Sequence, residues 1–402
     1  MNKKITIAVI GCGSFAKFFV PLFLKHPTVE KVYVCDLIKD RANEYSKSFN
    51  VEIIDTFEAV INRDDITAVA IFTERHTHGD LVVRALNAGK DVYSAVPMAI
   101  CVEDCKNIIE AVKASGKIYM MGETCIYYPC SMYCKERYEN GDFGKFVYGE
   151  SQYFHDISHF PKNFIDNRKA SAVPPFYYPT HSTAMLLHAT DTYATKVTAF
   201  GYVDTEENTQ FAVGENHWDN TFSNEFSLMQ LANGGIARVS ECRRIGYKAP
   251  SSFISDFYGT KGSYQFNNAQ HLVTKLTPTG VDLEDVSDQV NPIAMTENKG
   301  EENFKQKVAN HQFQWNSFSP THSANVEKLP EEFKAIPEVN GHMASHQLLI
   351  DDFCTAVYNG TMPYVNAWRA ARFTIPGLIA HESALKGGIP LEIPDFGEAP
   401  KK

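Results

Sequence analysis

The feature that most constrains the fold is a glycine-rich turn that follows a short apolar run near the amino terminus. Ile5–Ile10 has the composition of a buried strand, and an apolar helix is predicted over residues 17–24. A Gly-x-Gly-x-x-Ala turn between a strand and a helix is typical of a Rossmann dinucleotide site, because it permits a tight turn, close approach of a pyrophosphate and close helix packing. The turn predicts a cofactor contact from Gly11, Gly13, Ser14, Phe15 and Ala16.

A carboxylate at the end of the second predicted strand indicates which dinucleotide binds. Asp36 stands 25 residues after Gly11, where an acidic side chain accepts hydrogen bonds from the ribose hydroxyls and repels a 2′-phosphate. This position favours NAD over NADP, although Lys39 and Arg41 follow closely. The alternative is a glycine turn of purely structural use beside a solvated aspartate.

The first 125 residues alternate strand-like and helix-like segments. Parallel strands need crossover connections, so the alternation predicts a doubly wound parallel sheet over residues 1–125. The helix-like segments include 79–88 and 102–114. The strand candidates are Ile5–Ile10, Val32–Cys35, Val51–Ile54, Ala68–Phe72, Asp91–Ser94 and Ile118–Met121.

After residue 125 strand candidates follow one another without intervening helices, which predicts a large, open, mostly antiparallel sheet. They are Phe146–Phe154, Thr198–Val203, Asn224–Leu231, Gly235–Cys242, Ser252–Tyr258 and Ser263–Phe266. We assign residues 126–402 to this second α/β domain, with 280–340 as an irregular surface excursion and helices over 346–386 closing the structure. The fold class expected is therefore α/β plus α+β.

Composition narrows the choice of partners. A net charge of −10 argues against a nucleic-acid partner, and no apolar stretch approaches the roughly 18 residues of a membrane helix. The amino terminus shows no export signal, so we expect a cytoplasmic protein with reduced cysteines. Cys125, Cys130 and Cys134 lie close together, but the chain has no Cys-x-x-Cys pair, and we predict no metal. A small molecule is the expected partner.

Several motifs together resemble the Gfo/Idh/MocA family of oxidoreductases. They are the glycine turn, Phe-Thr-Glu-Arg-His-Thr-His at 72–78, Ala-Gly-Lys-Asp-Val-Tyr-Ser at 88–94, Pro97, Gly-Thr-Lys-Gly-Ser at 259–263, and the ending at 390–394. The resemblance implies a Rossmann domain followed by a domain whose open sheet carries the substrate pocket and homo-oligomer contacts. It places Thr73, His78 and Pro97 beside the cofactor. Glu123 is expected near the nicotinamide, with a surface role as the alternative.

The chain departs from the family where catalysis is concerned. Family dehydrogenases carry Glu-Lys-Pro after the fifth strand, and that lysine helps to deprotonate the substrate hydroxyl. This chain reads Ala95-Val96-Pro97. Because valine cannot accept a proton, another group must do so.

The second motif of the family, Asp-x-x-x-His, here reads Tyr177-Tyr178-Pro179-Thr180-His181, with Tyr177 at the aspartate position. The string Tyr-Pro-Thr-His resembles the NAD-dependent glycosidases of this superfamily, typified by α-N-acetylgalactosaminidases. In those enzymes the cofactor oxidises carbon 3, the aglycone is eliminated, water adds and the ketone is reduced again. The resemblance implies that Tyr178 and His181 line the catalytic pocket. Because an ordinary imidazole can exchange a proton near neutral pH, we expect His181 to be the base, with Tyr178 as a donor. The alternatives are a helix-capping histidine and a packed aromatic ring.

Two other pairs are candidates for the substrate pocket. His155 and Asp156 follow a strand, and His155 is the better candidate for a catalytic role. His342 and His346 are four apart, hence on one face of a helix that has begun by then. Substrate hydrogen bonding, a cap or core role, and half of a metal site all remain open for this pair.

Three functions are consistent with the sequence. The first is an NAD-dependent oxidoreductase acting on a secondary alcohol of a sugar or glycoside, at carbon 3. The second is a redox-cycling glycosidase or lyase that regenerates its NAD in each turnover. The third is a non-catalytic NAD-binding regulator, which the missing lysine favours and the Tyr178–His181 motif opposes.

Overall fold

The computed structural model describes residues 4–157, 171–246, 252–266, 270–290, 329–330, 333 and 343–400. The chain forms two compact units. The first comprises Met1–Thr124, Ala324–Ile375 and Asp395–Lys402, and the second comprises Cys125–Ser323 and Pro376–Pro394.

This division differs in one respect from the sequence-based assignment. The boundary near residue 125 is where it was placed, but part of the region 126–402 returns to the first unit. The reason is that an amphipathic helix shows the same periodicity whichever core it covers. Met343–Asn359 packs on the first unit, where the ring of Phe353 lies 5.7 Å from that of Tyr93.

The first unit is built on a six-stranded parallel sheet with the strand order β3-β2-β1-β4-β5-β6. Every residue of the apolar strand β1 is buried, as expected for a sheet covered on both faces. The predicted doubly wound parallel sheet is confirmed. Its elements are β1 Ile5–Ile10, α1 Val20–Lys25, β2 Val29–Cys35, α2 Lys39–Phe49, β3 Glu52–Ile53, α3 Phe57–Ile61, β4 Ala68–Ile71, α4 His78–Asn87, β5 Asp91–Ser94, α5 Val102–Ser115 and β6 Tyr119–Met121.

The first helix differs from the prediction of one helix over 17–24. Ala16–Phe18 forms a single 3₁₀ turn, and α1 starts only at Val20. Pro21 explains the break, because proline has no N–H to donate and is therefore tolerated only in the first turn of an α-helix.

The second unit contains a nine-stranded sheet with the order β14-β13-β12-β11-β7-β10-β9-β8-β15. All neighbouring strands are antiparallel except β7 and β10, which confirms the predicted mostly antiparallel sheet. Its strands are β7 Phe146–Phe154, β8 Ala194–Val203, β9 Phe222–Leu231, β10 Ile236–Cys242, β11 Ser252–Gly259, β12 Gly262–Phe266, β13 His271–Thr277, β14 Gly280–Asp285 and β15 Leu391–Glu392.

Among the described residues, five more helices follow α5, and α7 (Thr180–Ala189) lies on the sheet of the second unit. They are α6 Pro129–Glu139, α7 Thr180–Ala189, α8 Ser287–Val290, α9 Met343–Asn359 and α10 Ala367–Leu385. Every residue of α7 is buried. The Ser151 hydroxyl on β7 donates to the carbonyl of Ser182 in α7 at 2.7 Å, so α7 lies directly on the sheet.

Part of the region 280–340 is regular rather than irregular. Gly280–Asp285 is a full strand paired with β13, and Ser287–Val290 is a short helix. All six residues of β14 are exposed, so this edge strand lacks the burial-driven alternation by which strands are recognised.

Across the described part of the chain, no helix is long and apolar enough to cross a membrane.

Candidate functional site

The glycine turn of the first unit has the geometry that its sequence predicts. Gly11 has φ +94°, and a Cβ there would lie 2.8 Å from the carbonyl oxygen of Phe72, so only glycine fits. A Cβ on Gly13 would meet nothing within 4 Å, which leaves this stretch of backbone open to a ligand. Ala16 is fully buried, whereas Ser14 and Phe15 are exposed at the turn.

A residue that the sequence did not indicate secures this turn. The hydroxyl of Tyr45, on α2, donates to the carbonyl oxygen of Gly13. Burial raises the pKa of the Tyr45 phenol above its ordinary value, so the hydroxyl keeps its proton and remains a donor. A helical tyrosine more than thirty residues away carries no sequence signal for this contact.

Asp36 follows β2 directly, and its carboxylate has a fixed orientation. One oxygen accepts from the backbone N–H of Cys12 at 2.6 Å, and the other accepts from the N–H of Ile38 at 2.7 Å. Each carboxylate oxygen has a second lone pair, which remains available for a ribose hydroxyl. The open backbone at Gly13 and this oriented carboxylate together fit NAD: Gly11 and Gly13 would lie beside its pyrophosphate, and Asp36 would hold its ribose.

The loops after β4 and β5 are joined by His78, the first residue of α4. Its Nδ1 lies 2.7 Å from the carbonyl oxygen of Pro97, and its Nε2 lies 3.2 Å from the carbonyl oxygen of Thr73. Burial lowers the pKa of His78, so the ring is neutral at pH 7 and donates to one carbonyl at a time. His78 therefore connects two loops at the carboxyl edge of the sheet, in addition to starting the helix.

The position of the missing lysine is apolar in the structure. Ala95 and Val96 are both buried beside Pro97 at the end of β5. Glu123, just after β6, is fully buried rather than on the surface, which removes the surface alternative.

His346 lies in the first unit, in the core behind the glycine turn. Its ring centroid lies 4.3 Å from that of Phe19 and 5.4 Å from that of Phe15. Of the alternatives left open by the sequence, these contacts support a core role for His346. His342 lies outside the described residues.

In the second unit the Tyr-Pro-Thr-His motif brings its tyrosine and histidine together. The Tyr178 hydroxyl lies 3.2 Å from Nε2 of His181, and Sγ of Cys125 lies 3.3 Å from Nδ1. His181 is in the first turn of α7 and is buried, whereas Tyr178 is half-buried in the loop before it. The imidazole thus lies between a phenol and a thiol.

Of the other residues predicted for the substrate pocket, some lie near the Tyr178–His181 pair and others do not. The ring of Tyr153 on β7 lies 5.1 Å from that of His181 and 5.2 Å from that of His155. Asp156 accepts from the backbone N–H of Ile245 at 3.0 Å. The ring of Tyr177 lies 4.9 Å from that of His381, so the two adjacent tyrosines contact different histidines.

Behind the Tyr–His pair lies a buried ion pair that sequence reasoning missed. Nη2 of Arg243 lies 2.9 Å from Oε2 of Glu241, and the Ser182 hydroxyl donates to Oε1. Burial raises the pKa of Glu241 to about 7, while the charges of Arg243 and His181 oppose this rise. The available signal was weak: Glu241 lies within the predicted strand Gly235–Cys242, which also contains the charged Arg238.

A parallel sheet with an open glycine turn and an oriented aspartate, on a chain that also carries a Tyr–His pair, defines an NAD-dependent oxidoreductase. Residues 5–123 match the Gfo/Idh/MocA family model, described as "Oxidoreductase family, NAD-binding Rossmann fold". The recognition of the family from sequence motifs is confirmed, and NAD is its cofactor.

This chain is also similar to two characterised proteins in sequence and to one solved structure in fold. The chain is 24% identical to the α-N-acetylgalactosaminidase of Bacteroides fragilis, over 98% of this chain and 92% of that protein. It is 30% identical to the scyllo-inositol 2-dehydrogenase (NAD(+)) of Bacillus subtilis, over 37% of this chain and 44% of that protein. Levoglucosan dehydrogenase, solved with NADH and levoglucosan, has the same fold with a TM-score of 0.73, at 17% identity over 98% of this chain and all of that one.

Proposed function

We propose that the protein oxidises a secondary alcohol of a sugar or glycoside, at carbon 3, by hydride transfer to NAD, and that Tyr178 and His181 receive the hydroxyl proton. The observation that carries this proposal is the 3.2 Å contact between the Tyr178 hydroxyl and Nε2 of His181. It supplies a proton acceptor in a chain whose family lysine position is occupied by the buried Val96.

The proton path follows from the two neighbours of the imidazole. When Nε2 accepts from Tyr178, a neutral imidazole carries its own proton on Nδ1, on the side of Cys125. The half-buried phenol takes the substrate proton as it passes its own to Nε2. Oxidation removes one proton and one hydride from the alcohol. The proton ends on His181, and the bound NAD supplies the hydride acceptor.

A second candidate is a redox-cycling glycosidase or lyase. The observation that favours it is the length of this chain over which each relative aligns. The α-N-acetylgalactosaminidase aligns over 98% of this chain, whereas the inositol dehydrogenase aligns over 37%. In this scheme a ketone at carbon 3 acidifies the hydrogen on carbon 2, the aglycone leaves, water adds to the double bond, and the hydride returns. The net reaction is hydrolysis, and NAD is unchanged.

One assay separates these possibilities. The protein is incubated with NAD and with levoglucosan, scyllo-inositol and p-nitrophenyl α-N-acetylgalactosaminide in turn, and both NADH absorbance and nitrophenol release are recorded. A rise in NADH without release supports the dehydrogenase, whereas release that needs NAD but leaves no NADH supports the cycling enzyme. If NAD binds but a broad panel of sugars and glycosides gives neither signal, the proposal of an enzyme is wrong and the regulator stands.

A further inference from the structure

The segment 174–179, which we call the Tyr178 loop, has few backbone donors. Three of its six residues are prolines, which have no N–H. The N–H groups of Tyr177 and Tyr178 donate to carbonyl oxygens within the loop itself, at 2.9 and 3.1 Å. Within this described segment, the N–H of Phe176 is therefore the one backbone donor that is left to join the loop to the sheet.

That N–H donates to Glu225 on β9, a glutamate with no exposed surface. One carboxylate oxygen of Glu225 accepts from the N–H of Phe176 at 2.7 Å. The other oxygen lies 2.7 Å from Nδ1 of His381, on α10. A carboxylate oxygen can only accept, so Nδ1 carries a proton and donates to it. His381 thus holds Glu225 in the orientation that accepts from the loop.

The helix that carries His381 also contacts the Tyr178 loop through its backbone. A Cβ on Gly377 would lie 2.8 Å from the carbonyl oxygen of Phe176, so α10 packs closely on the loop at this point. One turn further along α10, the ring of His381 lies 4.9 Å from that of Tyr177. The loop is therefore held between β9 and α10.

A second glutamate beside Glu225 explains why this carboxylate needs a side-chain donor. In register, Glu225 and Glu241 are direct partners on antiparallel strands, and both have no exposed surface. Like charges opposite each other repel. Arg243 lies 2.9 Å from the carboxylate of Glu241, and His381 is the corresponding partner of Glu225. Without His381, we expect the carboxylate of Glu225 to reorient and to release the loop.

We propose that Glu225 and His381 are positioning residues, which set the Tyr178 hydroxyl against Nε2 of His181. The inference rests on the proposed function, in which this contact moves the substrate proton. Tyr178 follows Phe176 by two residues, so a shift of the anchored N–H displaces the phenol. A misplacement of about 1 Å can lower the rate of a catalysed step by about 10²-fold. Neither residue needs to contact the substrate for this effect.

The test reads the contact between Tyr178 and His181 in the full chain, by proton–nitrogen NMR at constant pH. Tyr178→Phe removes the hydroxyl, so it defines how the Nε2 signal of His181 changes when the contact is lost. His381→Leu removes the donor to the carboxylate and should change that signal in the same direction. His381→Asn places a side-chain amide where Nδ1 lies, and should restore most of the wild-type signal.

His271 provides the matched control. It is as buried as His381, with 6% against 5% exposed, and its Nδ1 lies 2.6 Å from the Tyr264 hydroxyl. These two residues lie on β13 and β12, and three strands separate β12 from β9. His271→Leu should therefore leave the His181 signal unchanged. An equal change in both leucine variants would indicate general loosening of the second unit and would overturn the proposal.

A second variant guards against misfolding, because His381→Leu leaves a buried carboxylate oxygen without its donor, which is destabilising. The double variant Glu225→Leu with His381→Leu replaces both polar groups by apolar ones, yet still releases the N–H of Phe176 from the sheet. It should change the His181 signal as the single variant does. A wild-type signal in a folded protein of either kind contradicts the proposal.

Kinetics on a sugar substrate give a second readout. The pair acts on the proton transfer and not on sugar binding, so His381→Leu should lower kcat by about tenfold or more and keep KM within about threefold. His381→Asn should recover most of the lost kcat. A change in KM alone contradicts the positioning role. The NMR comparison needs no substrate, so its failure refutes this inference, whereas failure of the sugar assay refutes the proposed function.

Discussion

The two ring nitrogens of His181 have different neighbours, a phenol at Nε2 and a thiol at Nδ1. We expect His181→Ala to lower turnover by about 10²–10⁴-fold, the usual effect of removing a general base. Tyr178→Phe should lower it less, because water can replace the hydroxyl while the ring keeps its packing. NAD affinity, measured by calorimetry, should stay the same in both variants. Turnover of His181→Ala within about threefold of the wild type would show that the base lies elsewhere, with His155 as the next candidate.

A second residue-scale prediction concerns the choice of dinucleotide. The Asp36 carboxylate is oriented by two backbone N–H groups, so it presents negative charge where NADP would carry its 2′-phosphate. NAD should therefore bind more tightly than NADP, and Asp36→Ala should narrow the difference mainly by weakening NAD. Calorimetric titration of both cofactors measures this. Equal affinities of the wild type for NAD and NADP would contradict the prediction.

Single residues were predictable from the sequence where the backbone dictates them. Gly11 and Asp36 stand at fixed offsets from a strand end, so their positions follow from local geometry. Tyr45 and Glu241 act through contacts between elements far apart in sequence, and such contacts depend on strand register and helix placement. Neither is encoded in a local pattern.

At the scale of elements, the glycine turn offers a matched pair of variants. Gly11→Ala places a methyl group 2.8 Å from a carbonyl oxygen at φ +94°, and should destabilise the fold by roughly 1–3 kcal/mol. Gly13→Ala meets open space and should leave the thermal midpoint unchanged, yet weaken NAD by about tenfold or more because the methyl occupies the ligand's approach. Thermal unfolding and calorimetry separate the two effects. Normal NAD affinity in a folded Gly13→Ala would refute the assignment of this backbone to the pyrophosphate.

Strand β10 carries a pH-dependent contribution to stability through Glu241. Burial raises its pKa from 4.5 in the unfolded chain to about 7, so the folded protein favours the protonated form. The contribution is complete below pH 4.5 and is lost as the pH rises through 7. Between pH 4.5 and pH 7, the free energy of unfolding should therefore fall more in the wild type than in the double variant Glu241→Gln, Arg243→Met. Denaturant unfolding at a series of pH values measures this. Parallel pH profiles for the two proteins would contradict this.

Helices and strands were predicted correctly where a buried face imposes a periodic pattern of apolar residues, and incorrectly where no such pattern exists. The strands of both sheets were placed to within a few residues because their buried faces select apolar side chains. The fully exposed β14 has no such pattern, and α1 begins later than predicted because Pro21 is tolerated only in the first turn of a helix. The assignment of α9 failed for a different reason, since periodicity reveals a buried face but not the core that buries it.

At the scale of the whole molecule, the nine-stranded sheet carries an exposed apolar patch on strands β8 and β9. Phe200 on β8 is paired in register with Phe226 on β9, and Leu228 extends the same patch. Exposed apolar patches of this kind mark association surfaces, so we predict a homo-oligomer formed through this patch. Light scattering at micromolar concentration should give a multiple of the chain mass, and Phe200→Asp with Leu228→Lys should lower it. A purely monomeric wild type would exclude this.

The discontinuity of the first unit has a consequence for synthesis on the ribosome. Its parallel sheet is complete once residue 121 has been made, but α9, whose Phe353 and His346 cover Tyr93 and Phe19, begins only at residue 343. That gap is 343 − 121 = 222 residues, or roughly 10–45 s at ordinary elongation rates. Throughout that interval the aromatic core of the nascent sheet lacks its cover. The second unit gains eight of its nine strands in one uninterrupted stretch, so we expect the unit translated second to be the first to reach a nearly native form.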